Sequence, residues 1–199
     1  MKNLFKLSVL TILSIISLTI FAQKHTTPKK GFIASTCSIE QGIPTTDKVS
    51  STWYLTFRGE AFIEKNVSVA GTIDYSLLKK DKYDDILVNH DLLFGVNYHF
   101  IHNHLDTYIG LQPGISYSKS KILNYNLEGE TVSVISPLTT ATLGVRYYMG
   151  SVFHAFASTT YVYGIQLSNR TNLPLSEFRF SAGVGINFNT FKSKENKAI

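Results

Sequence analysis

The chain has 199 residues, one Cys, 17% charged residues and a formal net charge of +5. A single thiol excludes an intrachain disulfide framework, and so small a positive excess makes no case for nucleic-acid binding. The 13 Phe, 11 Tyr and 13 Gly, with no Ala/Leu/Glu-rich stretch, point to β-structure.

The first segment is an export signal. Lys2 and Lys6 precede an apolar run from Leu7 to Phe21 that ends at Ala22-Gln23, the layout of a secretory signal peptide over residues 1–22. The run is about 15 residues, shorter than the roughly 20 a spanning helix needs. The residue directly after the cleavage point is Gln23 and not Cys, so a lipoprotein anchor is not indicated. Residues 23–189 are then the folded part and 190–199 a polar C-terminal tail. The lysines near both ends, Lys24, Lys29, Lys30, Lys192, Lys194 and Lys197, read as solvated.

From there on the sequence alternates with a period of two, the signature of strands with unlike faces. Residues 31–39 are a short strand without clear sidedness, with Cys37 as a small apolar strand residue. In 51–59, Trp53, Leu55 and Phe57 oppose Tyr54, Thr56 and Arg58. In 66–77, Val67, Val69, Ile73, Tyr75 and Leu77 oppose Ser68, Ala70, Thr72, Asp74 and Ser76. In 92–100, Leu92, Phe94, Val96, Tyr98 and Phe100 oppose Leu93, Gly95, Asn97 and His99. Leu105 to Tyr117 alternates against Asp106 to Ser118, and Ala141 to Met149 against Thr140 to Tyr148. Residues 152–166 look apolar on both faces. In the last strand, Phe178, Phe180, Ala182, Val184, Ile186 and Phe188 oppose Arg179, Ser181, Gly183, Gly185 and Asn187.

The expected count is eight strands, and the links alternate in length. Residues 59–66, 101–104 and 149–151 are short. Residues 40–50, 79–88, 119–131 and 167–176 are longer and polar. Even strand number, short periplasmic turns and long extracellular loops define an all-β, eight-stranded antiparallel up-and-down transmembrane β-barrel. The sense of the faces supports this. Arg58, Asp74, Arg146 and Arg179, with Glu60 beside them, lie on the polar face. Inside a soluble barrel they would carry a desolvation cost that pairing only partly offsets, whereas a membrane barrel turns that face inward. They are expected to form a lumenal ion-pair network. An internal repeat runs Gly95-Val96-Asn97-Tyr98, Gly144-Val145-Arg146-Tyr147 and Gly185-Ile186-Asn187-Phe188. It places Tyr98, Tyr147 and Phe188 where an interfacial aromatic girdle sits.

With these features the chain resembles the outer-membrane β-barrel domain family of small eight-stranded proteins of the OmpX and OmpA-barrel type. The likeness is carried by the exported start, Gly59 to Val67 as a turn into strand three, the three Gly-x-x-aromatic strands and the closing run Phe180 to Phe188. It implies residence in the outer membrane, contact with its lipids, insertion by the barrel-assembly machinery and an extracellular partner at the four long loops.

Few constellations suggest chemistry. His99, His102 and His104 crowd one link and are weak candidates for a metal; more simply, they decorate a turn. His154 and Ser158 share a face, but positions four apart on a strand are roughly 13 Å apart, too far for a base to serve its nucleophile. No phosphate loop, dinucleotide fingerprint or Cys/His zinc spacing occurs, and no cofactor is expected. The leading expectation is a non-catalytic structural or surface-interaction protein with a side-chain-filled lumen. The alternatives are a lipid-modifying hydrolase, a small-solute pore or a soluble exported ligand-binding barrel.

Overall fold

A computed structural model describes residues 28–46, 50–77, 86–121, 131–167 and 172–190. The expected signal peptide and most of the C-terminal tail lie outside these residues. The strands are β1 (Phe32–Pro44), β2 (Thr52–Phe62), β3 (Val67–Ser76), β4 (Ile86–His102), β5 (Leu105–Lys121), β6 (Thr131–Met149), β7 (Phe153–Leu167), β8 (Asn172–Pro174) and β9 (Glu177–Asn189). Every neighbouring pair is antiparallel, and β1 closes against β9. The short β8 pairs only with the end of β7, so the barrel wall has eight strands. Closure satisfies the backbone of every wall strand without an edge, the condition for a sheet in hydrocarbon.

The stagger can be read from the pairs. Ile33 leads to Ala61, Val69, Val96, Leu111, Ala141, Tyr161, Phe178 and back to β1 at Ile43, ten residues higher. All of these side chains are on the outer face. Stagger and strand number together fix the tilt and the bore, and eight strands leave an interior that side chains just fill.

At one end the strands are joined by tight turns. Asn103 (φ 53°) and Gly150 (φ 85°) hold the left-handed conformations that the β4–β5 and β6–β7 turns require. Within the wall, the β4–β5 ladder is interrupted between Val96–Leu111 and Leu93–Gly114, where Pro113 has no N–H to give.

Three expectations need correction. The first strand is not short and faceless: it has 13 residues, with Phe32, Ala34, Ser38 and Glu40 buried and Ile39 and Ile43 exposed. Its inward face mixes Phe32 and Ala34 with Ser38 and Glu40, and its outward face includes Ser35 and Gln41, which blurs the pattern. On β7 the ambiguity resolves with His154, Phe156, Ser158, Thr160, Val162 and Gln166 inside. The connections are also shorter than expected. β1, β2, β4, β5 and β6 extend into residues read as loops, because ladder hydrogen bonding continues through polar residues that hydropathy alternation does not mark.

Candidate functional site: a charged lumen inside an apolar wall

The interior is polar and closed. Most of its charges form two clusters, with a hydrogen-bonded belt around the Arg58 guanidinium between them. In the half towards the long connections, Arg179 from β9 reaches across the lumen. Its Nη1 donates to Asp74 Oδ2 and its Nη2 to Asp91 Oδ2, both at 2.5 Å, and its Nε donates to Glu177 Oε1 at 2.8 Å. The guanidinium lies 4.1 Å over the Tyr54 ring. The Tyr54 hydroxyl donates to Glu177 at 2.7 Å and Thr56 to Asp74 at 2.7 Å. Three carboxylates around one planar cation use its fork geometry fully.

Towards the turn end, Glu60 is the hub. It accepts from Arg146 Nη2, from Ser68 Oγ at 2.5 Å and from Asn97 Nδ2 at 2.8 Å. The His99 ring lies between two carboxylates, with Nε2 2.8 Å from Glu60 and Nδ1 2.9 Å from Asp106. Arg146 Nη1 donates to the Tyr148 hydroxyl at 3.1 Å, which donates to Asp106 at 3.0 Å. Buried charges in such a low-dielectric site are tolerated when they are paired and hydrogen-bonded. Among the described residues, Arg146 Nε and Asp91 Oδ1 are the only buried atoms of these charged groups without a partner.

Arg58 departs from the expected ion-pair role. Among the described residues it forms no salt bridge. Its Nε donates to Thr72 Oγ1 at 3.3 Å and its Nη1 to the Tyr108 hydroxyl at 3.4 Å, and Thr72 passes the chain on to Gln112 at 3.0 Å. The Tyr108 ring lies where a β-carbon on Gly144 would stand, 2.3 Å from its Cζ, so Gly144 makes room for the ring between the two clusters.

Apolar side chains cover the turn end of the lumen, and one apolar pair lies at the other end. At the turn end, Phe32, Phe62 and Tyr148 are all 2% exposed or less. Phe32 meets Phe62 and Tyr148 edge-on at 5.6 and 5.7 Å. At the other end β8 folds the β7–β9 connection back on β7, and Leu175 packs on Ile86.

The outer wall is the inverse. Phe94 (65% exposed), Leu92, Leu111, Leu143, Ile115 and Phe57 all stand free. Tyr98, Tyr147 and Phe188 also point outward, each about half exposed, and Phe188 pairs with Ile33 one residue above the start of β1. Burying a large apolar side chain is worth about 1.5–3 kcal/mol, so a continuous apolar wall of this kind belongs in hydrocarbon. Polar lumen, apolar exterior and closed eight-stranded wall define a transmembrane barrel of the bacterial outer-membrane type, and the outer membrane is where it resides.

The candidate metal site does not assemble among the described residues. His99 lies inside the lumen, because β4 runs to His102. His102 is exposed, and His104 Nδ1 faces the Tyr148 carbonyl at 3.3 Å. His154 and Ser158 are held apart in separate pairs: His154 with Asn187 at 2.6 Å, Ser158 with Ser181 at 2.8 Å. Sequence reasoning missed Asp91, Glu177, His99 and Asp106 as network members. Asp91 and Glu177 fell just outside the expected strands, and extending the alternation by one residue at each strand start would have found both.

No protein-family model matches the chain, and no curated protein matches it. Solved structures do. The N-terminal β-barrel domain of Pseudomonas aeruginosa OprF is 16% identical, with 81% of this chain and 100% of that one covered and a TM-score of 0.55. Neisserial surface protein A is also 16% identical, covering 80% and 98%, with a TM-score of 0.60. The outer membrane protein OprG from Pseudomonas aeruginosa is 11% identical, covering 81% and 97%, with a TM-score of 0.61. The chain therefore shares the fold of small outer-membrane barrels of the OmpX and OmpA type, over nearly the whole of each neighbour.

Proposed function

We propose that this barrel is a membrane-anchored platform with a structural and surface-interaction role, and that it conducts no solute and catalyses no reaction. The observation that carries this reading is the plugged lumen. Two ion clusters and a hydrogen-bonded belt occupy the described bore, with the Phe32–Phe62–Tyr148 cluster at the turn end and the Ile86–Leu175 pair at the other. What remains available for recognition is the set of four connections at the end opposite the tight turns. They are the place for an extracellular partner, while outer-membrane lipids surround the wall and the barrel-assembly machinery inserts it.

Planar-bilayer recording tests the plugged lumen. The purified barrel is expected to leave the membrane at its baseline conductance, and discrete openings would overturn the plug. Incubation with labelled phospholipid or lipopolysaccharide is expected to release no fatty acid, and acyl release would restore the hydrolase alternative. Replacing the β3–β4 and β5–β6 connections with two-residue turns is expected to abolish attachment of the cell to its surface ligand. The heat-dependent gel mobility of the barrel should stay unchanged.

A further inference from the structure

The outer wall is not evenly padded. Ser35, Gly59 and Gly71 are successive cross-strand register partners on β1, β2 and β3, and all three point away from the lumen. A β-carbon placed on Gly59 meets no atom within 4 Å, and one on Gly71 makes only ordinary contacts at 3.9 and 4.0 Å. Phe57, Ile73, Leu92, Phe94 and Ile115 rise around this bare floor and border an open groove of about 560 Å³. The groove climbs obliquely with the stagger, from Ser35 near the base of β1 to Pro113 midway along β5. At roughly 3.3 Å per residue and a tilt near 40°, its lower end is on the order of 10 Å above the turn end.

A second feature lies directly below. The Gly31 N–H donates to the Phe62 carbonyl at 2.8 Å, and Phe32 N–H to Lys29 O at 2.9 Å. These bonds tie residues 29–31 to the base of β2. Lys29 and Lys30 therefore stand, exposed, at the rim beneath the groove, beside the β2–β3 turn that carries the exposed Lys65. Lys30 shares Glu64 at 3.8 Å, with both side chains 70% exposed. A cluster of lysines at the membrane surface attracts anionic headgroups.

We propose that the groove seats one acyl chain of an anionic phospholipid from the periplasmic leaflet, with its phosphate among Lys29, Lys30 and Lys65. The occupant follows from position. In hydrocarbon an unfilled groove forfeits dispersion contacts along its whole floor. A flexible methylene chain entering from the rim restores them without displacing a side chain. The lysines select the headgroup, and the groove holds the tail. The proposal rests on the outer-membrane assignment and adds a ligand to it.

Native mass spectrometry of the full-length barrel tests this, after release from nanodiscs containing equal phosphatidylglycerol and phosphatidylethanolamine. The wild type is expected to carry one phospholipid, with phosphatidylglycerol favoured. The pair Gly59→Leu with Gly71→Leu fills the floor and is expected to lose the adduct while keeping heat-dependent mobility. The triple variant Lys29→Ala, Lys30→Ala, Lys65→Ala leaves the wall untouched. It is expected to keep the adduct but bring the two headgroups to parity. A bare wild type, or an adduct that survives the leucine pair, overturns the proposal. So does a doubled protein mass that the leucine pair collapses, because the occupant is then a second copy. If the leucine pair fails to fold, the lysine variant decides alone, and an unchanged headgroup preference overturns the site. A wild type without heat-dependent mobility would instead sink the barrel assignment.

Discussion

Arg179 on β9 and Asp74 on β3 meet at 2.5 Å across the lumen, although 105 residues separate them in the chain. The contact exists only in the closed barrel. It binds the last strand to the first half of the sheet, and Asp91 and Glu177 share the same guanidinium. Removing the cation leaves three carboxylates buried around nothing. Arg179→Met is therefore expected to destabilise the barrel by about 3–5 kcal/mol, read as a lower urea midpoint in lipid vesicles. Arg179→Lys should fall between the two, because an ammonium cannot reproduce the fork. A variant as stable as the wild type would show that the cluster is not under electrostatic constraint.

The turn-end cluster predicts coupling rather than simple loss. Glu60 and Arg146 bond each other directly, Glu60 also contacts His99 and Arg146 also contacts Asp106 and Tyr148, and His99 in turn meets Asp106. The single changes Glu60→Gln and Arg146→Met should each be costly, and the double variant less costly than their sum. A double-mutant cycle is expected to give a coupling of about 0.5–3 kcal/mol. Strict additivity would mean that the two side chains act independently.

Two glycines with opposite surroundings give a paired test. Gly144→Ala forces the Tyr108 ring from its place and is expected to cost about 1–3 kcal/mol through overpacking. Gly59→Ala adds a methyl to open space on the lipid side and is expected to change stability by about 0.5 kcal/mol or less. Equal effects at the two sites would contradict the inward and outward assignment of the strands.

Depth on the wall predicts a gradient. Leu111 stands on the outer face well above the turn end of β5, whereas Phe188 is next to the end of β9. Leu111→Arg is expected to cost about 2–4 kcal/mol in a bilayer and Phe188→Arg about 0–1 kcal/mol. Unfolding titrations in vesicles would measure both. The reverse order would place the membrane at a different height on the barrel.

Local chemistry reached a definite set of conclusions here. Alternation is a property of adjacent residues, so the faces of β3, β4, β5, β6 and β9 and the outward aim of Tyr98, Tyr147 and Phe188 could be read directly from the chain. The count of alternating segments supplied the strand number, and the alternating lengths of the connections together with the charges on the polar face supplied the sense of the barrel. Where inward residues were small, as at Ala34 and Ser38, or both faces apolar, as on β7, the local signal was too weak to assign a side. The pairing of charges could not be read at all, because it depends on the ten-residue stagger that brings β9 opposite β3 and β4. That stagger is a closure condition on eight strands at once. It made His99 a bridge between Glu60 and Asp106 rather than a turn residue, and left Arg58 hydrogen-bonded instead of ion-paired.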